Sequence, residues 1–324
     1  MDTNNGTTMA EQDHGTYDAV VVGGGAAGLS AALVLGRARR RTLVVDAGEP
    51  RNAPAAHLQG YLTRDGMSPA AFLEAGRREV DAYGVERTEG LVTTAVPDGQ
   101  GCFALGLADG RRVRARRLIV TTGLADELPE LDGLAGRWGR DVLHCPYCHG
   151  WEVRDRAFGV LAHPELPAHQ ALMVSQWSAD VTLFLHTAAT PSAQDAARLA
   201  AAGVTVVTGE VAGLVVADDR LTGVRMADGR TVAREVLFVG PRPAPRDDLL
   251  TALGAATRPT PFGAFVAVDE TGRTSVPGVW AAGNAVGAHE QVVNAASGGY
   301  RAAAALNGDL LLTDLDRKAA GSAA

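Results

Sequence analysis

Cysteine is scarce in this chain. Only Cys102, Cys145 and Cys148 occur among 324 residues, too few for the dense disulfide framework of a small secreted protein. Long apolar runs are missing too. No stretch approaches the roughly 20 residues that a membrane-spanning helix needs. The opening residues, "MDTNNGTTMAEQDHGTY", hold no basic segment followed by an apolar one, so no secretory signal is expected. Nor is there an excess of positive charge. Thirty Lys and Arg stand against 37 Asp and Glu, a net charge of −7, and the basic residues are scattered. That balance argues against nucleic acid and anionic membrane as partners. A cytoplasmic protein is expected.

What is present is globular. Hydrophobic residues make up 46% and charged residues 21%, a balance that builds packed cores rather than disorder. The length suffices for two domains of ordinary size. "YDAVVVGGGAAGLSAALVLGRA" reads as a β-branched strand, a glycine turn and an Ala/Leu helix, and "RTLVVDAG" as a second strand parallel to the first. "PAAFLEAGRREVDAYGV" is an amphipathic helix ended by Gly84. An antiparallel meander with turns at "PDGQG" and "ADGR" follows, then a buried return strand, "RLIVTTG". After a break at "LADELPELDGLAGRWG", the order strand, helix, strand, meander and return strand recurs from "AFGVLA" to "VLFVG". The chain closes with a strand, a glycine turn and a long small-residue helix. The expected class is α/β, with two Rossmann-like, three-layer nucleotide-binding domains.

Gly23, Gly25 and Gly28 spell G-x-G-x-x-G between the first strand and the first helix, and Asp46 ends the next strand. Gly23 permits the tight turn. Gly25 lets a pyrophosphate approach the backbone, and Gly28 lets the helix pack on the strand. The helix N-terminus supplies N–H groups, and Asp46 accepts from a ribose hydroxyl. This motif alone does not choose between FAD and a nicotinamide cofactor.

"HCPYCHG" at 144–150 contains a C-x-x-C followed by histidine. That spelling serves half a zinc site, a c-type haem attachment or a redox dithiol. Zinc needs four ligands, and a second pair is missing. Haem attachment would need export. No metal is expected. The pair opens a short predicted helix with Pro146 near its first turn, a setting that lowers a thiol pKa. Cys102 reads as a small core residue in a strand.

The glycine loop, "TTG" at 121–123, the C-x-x-C and "VPGVWAAGN" at 276–284 together resemble the low-molecular-weight thioredoxin reductase family, from about Tyr17 to about Leu312. The resemblance implies that Gly23, Gly25, Gly28 and Asp46 hold the ADP part of FAD, with Ala26, Ala27, Val92, Thr122 and Gly123 beside the cofactor. It puts Gly283 and Asn284 at the ribityl–phosphate part, and Gln291 and Val292 at the start of the helix facing the isoalloxazine. Arg51, Asn52 and His57 fall in the loop that passes the cofactor. Asn284 stands where the family usually has Asp; an amide can still bond a ribityl hydroxyl. The implied division is a tail at 1–16, a discontinuous FAD-binding domain at 17–123 plus 246–315, a degenerate NAD(P)-binding-like domain at 124–245 carrying the C-x-x-C, and a tail at 316–324. Family members are usually homodimers.

One part of the reductase pattern fails. The second copy should carry another glycine loop for NADPH, but "HPELPAHQ" at 163–170 has no glycine and two prolines, and the next strand is followed by no arginine pair. NADPH binding is therefore not expected. This combination looks like the dithiol oxidase branch of the family, which closes disulfides in dithiol natural products such as gliotoxin and holomycin. The resemblance implies that a small dithiol attacks Cys145, that Cys148 faces the flavin, and that dioxygen takes the electrons to give hydrogen peroxide. His149 is the candidate proton carrier and His144 a second one. Two other readings remain at this point: a disulfide reductase using NADPH or another donor, with a thioredoxin-like partner, and a flavin redox sensor without turnover.

Overall fold

Three consecutive valines end the segment Tyr17–Val22, and their restricted χ1 favours extended backbone. In the computed structural model, which describes residues 15–322, this segment is the centre of a sheet. It pairs in parallel with Thr42–Asp46 on one side and Arg112–Val120 on the other, with Val21 opposite Val44 and Ile119. Glu86–Glu89 extends the sheet beyond Thr42–Asp46. The strand Arg112–Val120 takes two partners along one edge. Its first half receives the antiparallel meander through Phe103–Leu107, and its second half pairs with Val279–Ala281 in parallel. The C-terminal segment thus returns to the sheet that opens the chain.

Seven α-helices are described: α1 (Ala26–Arg37), α2 (Pro69–Asp81), α3 (Pro146–His149), α4 (His169–Val174), α5 (Ala193–Ala201), α6 (Asp248–Ala252) and α7 (Val292–Ser322). Helix α2 starts at Ser68, whose side chain accepts from Ala71 N–H, with Pro69 as first helical residue. Helices α1 and α7 cover one face of the sheet, burying Leu35, Ile119, Trp280 and Leu306. Their approach is close because Gly299 has no side chain: a Cβ there would lie 1.9 Å from the Ala27 carbonyl oxygen.

A second sheet repeats the plan. Its order is Thr205–Val207, Val181–Phe184, Phe158–Leu161, Val236–Val239, Val142–Leu143, all parallel. Phe158–Leu161 and Val236–Val239 are buried at every residue, as parallel strands covered on both faces must be. The meander Val211–Ala217, Arg220–Met226, Thr231–Ala233 packs beside it. A two-stranded ladder, Leu124–Glu127 against Arg242–Pro245, marks where the chain leaves the first sheet and comes back.

Two expectations change. The stretch 316–322, read as tail, continues α7 to Ser322. Just before that stretch, Asp314 bonds Arg40 (2.9 Å) and Arg116, and Asp309 bonds Arg117 (2.6 Å) and Arg273 (2.9 Å). Cys102 is buried, but in the turn before Phe103–Leu107 rather than in a strand; its N–H donates to Asp98. The tail expected at 1–16 lies outside the described residues up to position 14. No described helix is long and apolar enough to cross a membrane.

Candidate active site

The glycine loop is shaped by contacts that exclude side chains. Gly23 has φ +105°, and a Cβ there would sit 2.4 Å from the Thr121 carbonyl oxygen. A Cβ on Gly28 would lie 1.9 Å from the Gly23 carbonyl oxygen, so Gly28 is buried packing between helix and strand and does not line the cavity. Gly25, by contrast, has nothing within 4 Å of its Cβ position and opens onto the cavity. It is the N-cap of α1 with no side-chain cap, leaving the first N–H groups of α1 to a ligand. Asp46 faces the same space and accepts from Gly24 N–H at 2.9 Å. An open backbone cradle, an uncapped helix start and an acceptor one strand away fit the pyrophosphate and ribose of FAD.

One cavity of about 640 Å³ runs from this loop to the cysteines. Ala26, Ala27, Asn52, Val92, Thr122, Gly123, Gly283, Asn284, Gln291 and Val292 line it with the residues above. Arg51 lines it as well, but its guanidinium is held by Asp126 (2.7 and 2.8 Å) and the Ala288 carbonyl (3.3 Å). His57 does not reach it; the residue is exposed on its loop, outside the cavity. The Asn284 amide donates to the carbonyls of Gly287 (3.0 Å) and Ala288 (3.3 Å), leaving its oxygen to accept. An aspartate could not make those two bonds while ionised, which gives the Asn a local reason.

The cysteines stand at the start of α3, with Cys145 as N-cap and Pro146 inside the first turn. Both are thiols here. Gln291, 143 residues away from Cys148, spans the pair. Its Oε1 lies 3.2 Å from Cys148 Sγ, an alternative acceptor for that thiol's single proton, and its Nε2 donates to Cys145 Sγ at 3.5 Å. A hydrogen bond from the Cys148 thiol, then the N–H groups of Cys148 and Tyr147 and the Gln291 amide, pull Cys145 down to about 7 against the opposing effect of burial. Donating that bond, burial and the Cys145 charge push Cys148 up. The two sulfurs thus share one proton, with Cys145 favoured as the thiolate and Cys148 as the thiol.

Both histidines flanking the motif line the cavity. Burial lowers the His149 pKa below its ordinary value, and its buried Nδ1 has no hydrogen-bond partner. The neutral imidazole can accept a proton there. Burial, helped by the positive Arg51, takes His144 to about 4, too low to exchange protons near neutrality.

The far end of the cavity is bounded by 163–170 and α4. His163, Leu166, His169, Gln170 and Met173 line it, as do Phe262 and His289. Three of the loop's N–H groups turn inward: Glu165 N–H bonds His163 Nδ1 (3.2 Å), Leu166 N–H the His163 carbonyl (3.3 Å), and His169 N–H the Leu166 carbonyl (3.2 Å). Pro164 and Pro167 have none to offer. Past the next strand, Arg198 is paired with Asp195 at 3.1 Å.

Comparison with known proteins gives the family. The sequence profile of the pyridine nucleotide-disulphide oxidoreductases matches residues 17–158 and 179–299; the gap contains 163–170. Thioredoxin reductase sirT of Leptosphaeria maculans is 30% identical over 319 residues, covering 92% of this chain and 96% of its own. The crystal structure of HlmI superposes with a TM-score of 0.89 at 49% identity, over 96% of this chain and 98% of its own. An oxidoreductase from Agrobacterium tumefaciens superposes at 0.86 with 38% identity, over 92% and 99%. The chain belongs to the pyridine nucleotide-disulphide oxidoreductase family and is a thioredoxin reductase-like, FAD-dependent thiol–disulfide oxidoreductase.

Proposed function

We propose that the protein is a dithiol oxidase. It converts a small dithiol and dioxygen to a disulfide and hydrogen peroxide, and NADPH is not its reductant. The loop 163–170 carries this reading. The N–H groups of Glu165, Leu166 and His169 bond within the loop and Pro164 and Pro167 have none, and the loop falls in the one internal gap of the family match. A dinucleotide pyrophosphate would find no backbone cradle there. The proposal includes a homodimer, as the resemblance implies, and a cytoplasmic location.

Gly23, Gly25, Ala26, Ala27 and Asp46 would hold the adenine-side half of FAD, and Gly283, Asn284, Gln291 and Val292 the flavin side. Bound FAD would relay two electrons from the cysteine pair to dioxygen. The chain's own residues do the thiol chemistry. A substrate thiolate attacks Cys145 Sγ in the Cys145–Cys148 disulfide, and the Cys145–Cys148 bond breaks. The second substrate thiol then attacks the substrate sulfur of the mixed disulfide, releasing product disulfide and Cys145 thiolate. A thiol held near 7 leaves readily in that second displacement. His149, which lines the cavity, is the acceptor for the substrate proton.

Oxygen uptake with dithiothreitol tests the proposal. One dioxygen should disappear and one peroxide form for each dithiol closed, and Cys145→Ser should abolish the uptake while keeping FAD. A reductase would instead consume NADPH with a disulfide, and a redox sensor would show no turnover with either.

A further inference from the structure

The far end of the cavity differs in chemistry from the cofactor end. The turn between Thr257–Thr260 and Gly263–Val266 carries Phe262, half-buried, with its ring edge-on to two histidines. Ring centroids lie 4.6 Å from His289 and 6.3 Å from His163. His163 follows the strand Phe158–Leu161 of the second sheet, whereas Phe262 and His289 belong to the C-terminal part that returns to the first. The three rings thus form a wall across the cavity from both sides. Leu166 and Met173 continue the wall, and Tyr147, 70% exposed between the two cysteines, stands at the same cavity.

Both arginines that line this cavity are already paired. Arg51 is paired with Asp126 at 2.7 Å and Arg246 with Glu49 at 3.1 Å. Burial favours the neutral form of Glu290. At this end a second nucleotide would find neither an unpaired arginine nor a glycine cradle for its phosphates, while a flat, uncharged ring would find aromatic edges and aliphatic side chains.

Resting on the oxidase reading, we propose that this wall, with Phe262 at its centre, is the substrate subsite and selects an uncharged dithiol that carries an aromatic ring. The loop 163–170, unable to cradle a pyrophosphate, serves as part of that wall.

Two dithiols with the same number of carbons between their thiols make the test: ortho-benzenedimethanethiol and dithiothreitol. Each is mixed with the FAD-loaded enzyme, and kcat/KM by oxygen uptake is compared with the anaerobic rate of flavin bleaching. The wild-type enzyme should prefer the aromatic dithiol by roughly tenfold, the equivalent of aromatic contacts plus buried ring surface. Phe262→Ala should bring the ratio to within about twofold, and Leu166→Asn should shift it the same way. FAD content and the flavin spectrum report that each variant is folded. A wild-type ratio near one, or a ratio retained in both variants, overturns the subsite and leaves the oxidase reading standing. Bleaching by neither dithiol overturns both.

Discussion

Replacing Cys148 tests the division of labour within the pair. The largest influence holding Cys145 near 7 is the hydrogen bond from Cys148. Cys148→Ser keeps a donor at that position, and Cys148→Ala removes it. A hydrogen bond to a charged group contributes about 1.5 kcal/mol at the low end, or about one pH unit. At pH 7 about half of the Cys145 thiol is ionised when its pKa is near 7, against about one in a hundred at the ordinary 9.0. Cys148→Ala should lower that share to about one in ten. The assay is the pH dependence of iodoacetamide alkylation at Cys145, followed by peptide mass in the two variants, where no disulfide can form. Cys102, 9% exposed, is the internal control. The serine variant should be alkylated with a midpoint near 7 and the alanine variant about one unit higher. Identical midpoints in the two variants, or a midpoint at the ordinary thiol value in both, would refute the reasoning.

Further outcomes follow from particular contacts. Gly28→Ala forces a methyl onto the Gly23 carbonyl; the loop must open at a cost of about 1–3 kcal/mol, and the purified protein should lose its flavin absorbance. Asn284→Asp replaces two donated bonds with a carboxylate facing the Gly287 and Ala288 carbonyls. Thermal melts should show a loss of about 2 kcal/mol at neutral pH. That loss is fully present above the raised carboxyl pKa and recovers as pH falls through it, because the protonated acid can donate. His149 is a base once neutral, and its pKa is lowered by burial. Dithiol turnover should therefore stay flat near neutrality and fall only below the usual imidazole range of about 6.5. His149→Gln should remove that acid limb and slow turnover by roughly 10²-fold.

Much of this architecture is legible in the chain because its signals are local. The valines of Tyr17–Val22, the glycine turn and the small-residue helix occupy adjacent positions, so strand, cradle and helix can be read in one pass. Cys145, Pro146 and Cys148 likewise announce a helix start. What escapes is set by distance along the chain. Gln291 meets the cysteines across 143 and 146 residues. Phe262 meets His163 only because the second sheet and the C-terminal segment face one cavity. Position alone also misled: His57 falls in the cofactor-passing loop but is exposed beyond it. The last turns of α7, 316–322, looked like tail because their small and polar composition resembles one; Asp314, just before them, is tied to Arg40 and Arg116 far upstream.

The direction of electron flow is tested most directly by mixing the FAD-loaded protein, without oxygen, with either a dithiol or NADPH and following flavin absorbance. Rapid bleaching by the dithiol and none by NADPH is the predicted result. Rapid bleaching by NADPH, with the flavin left oxidised by the dithiol, would contradict the account.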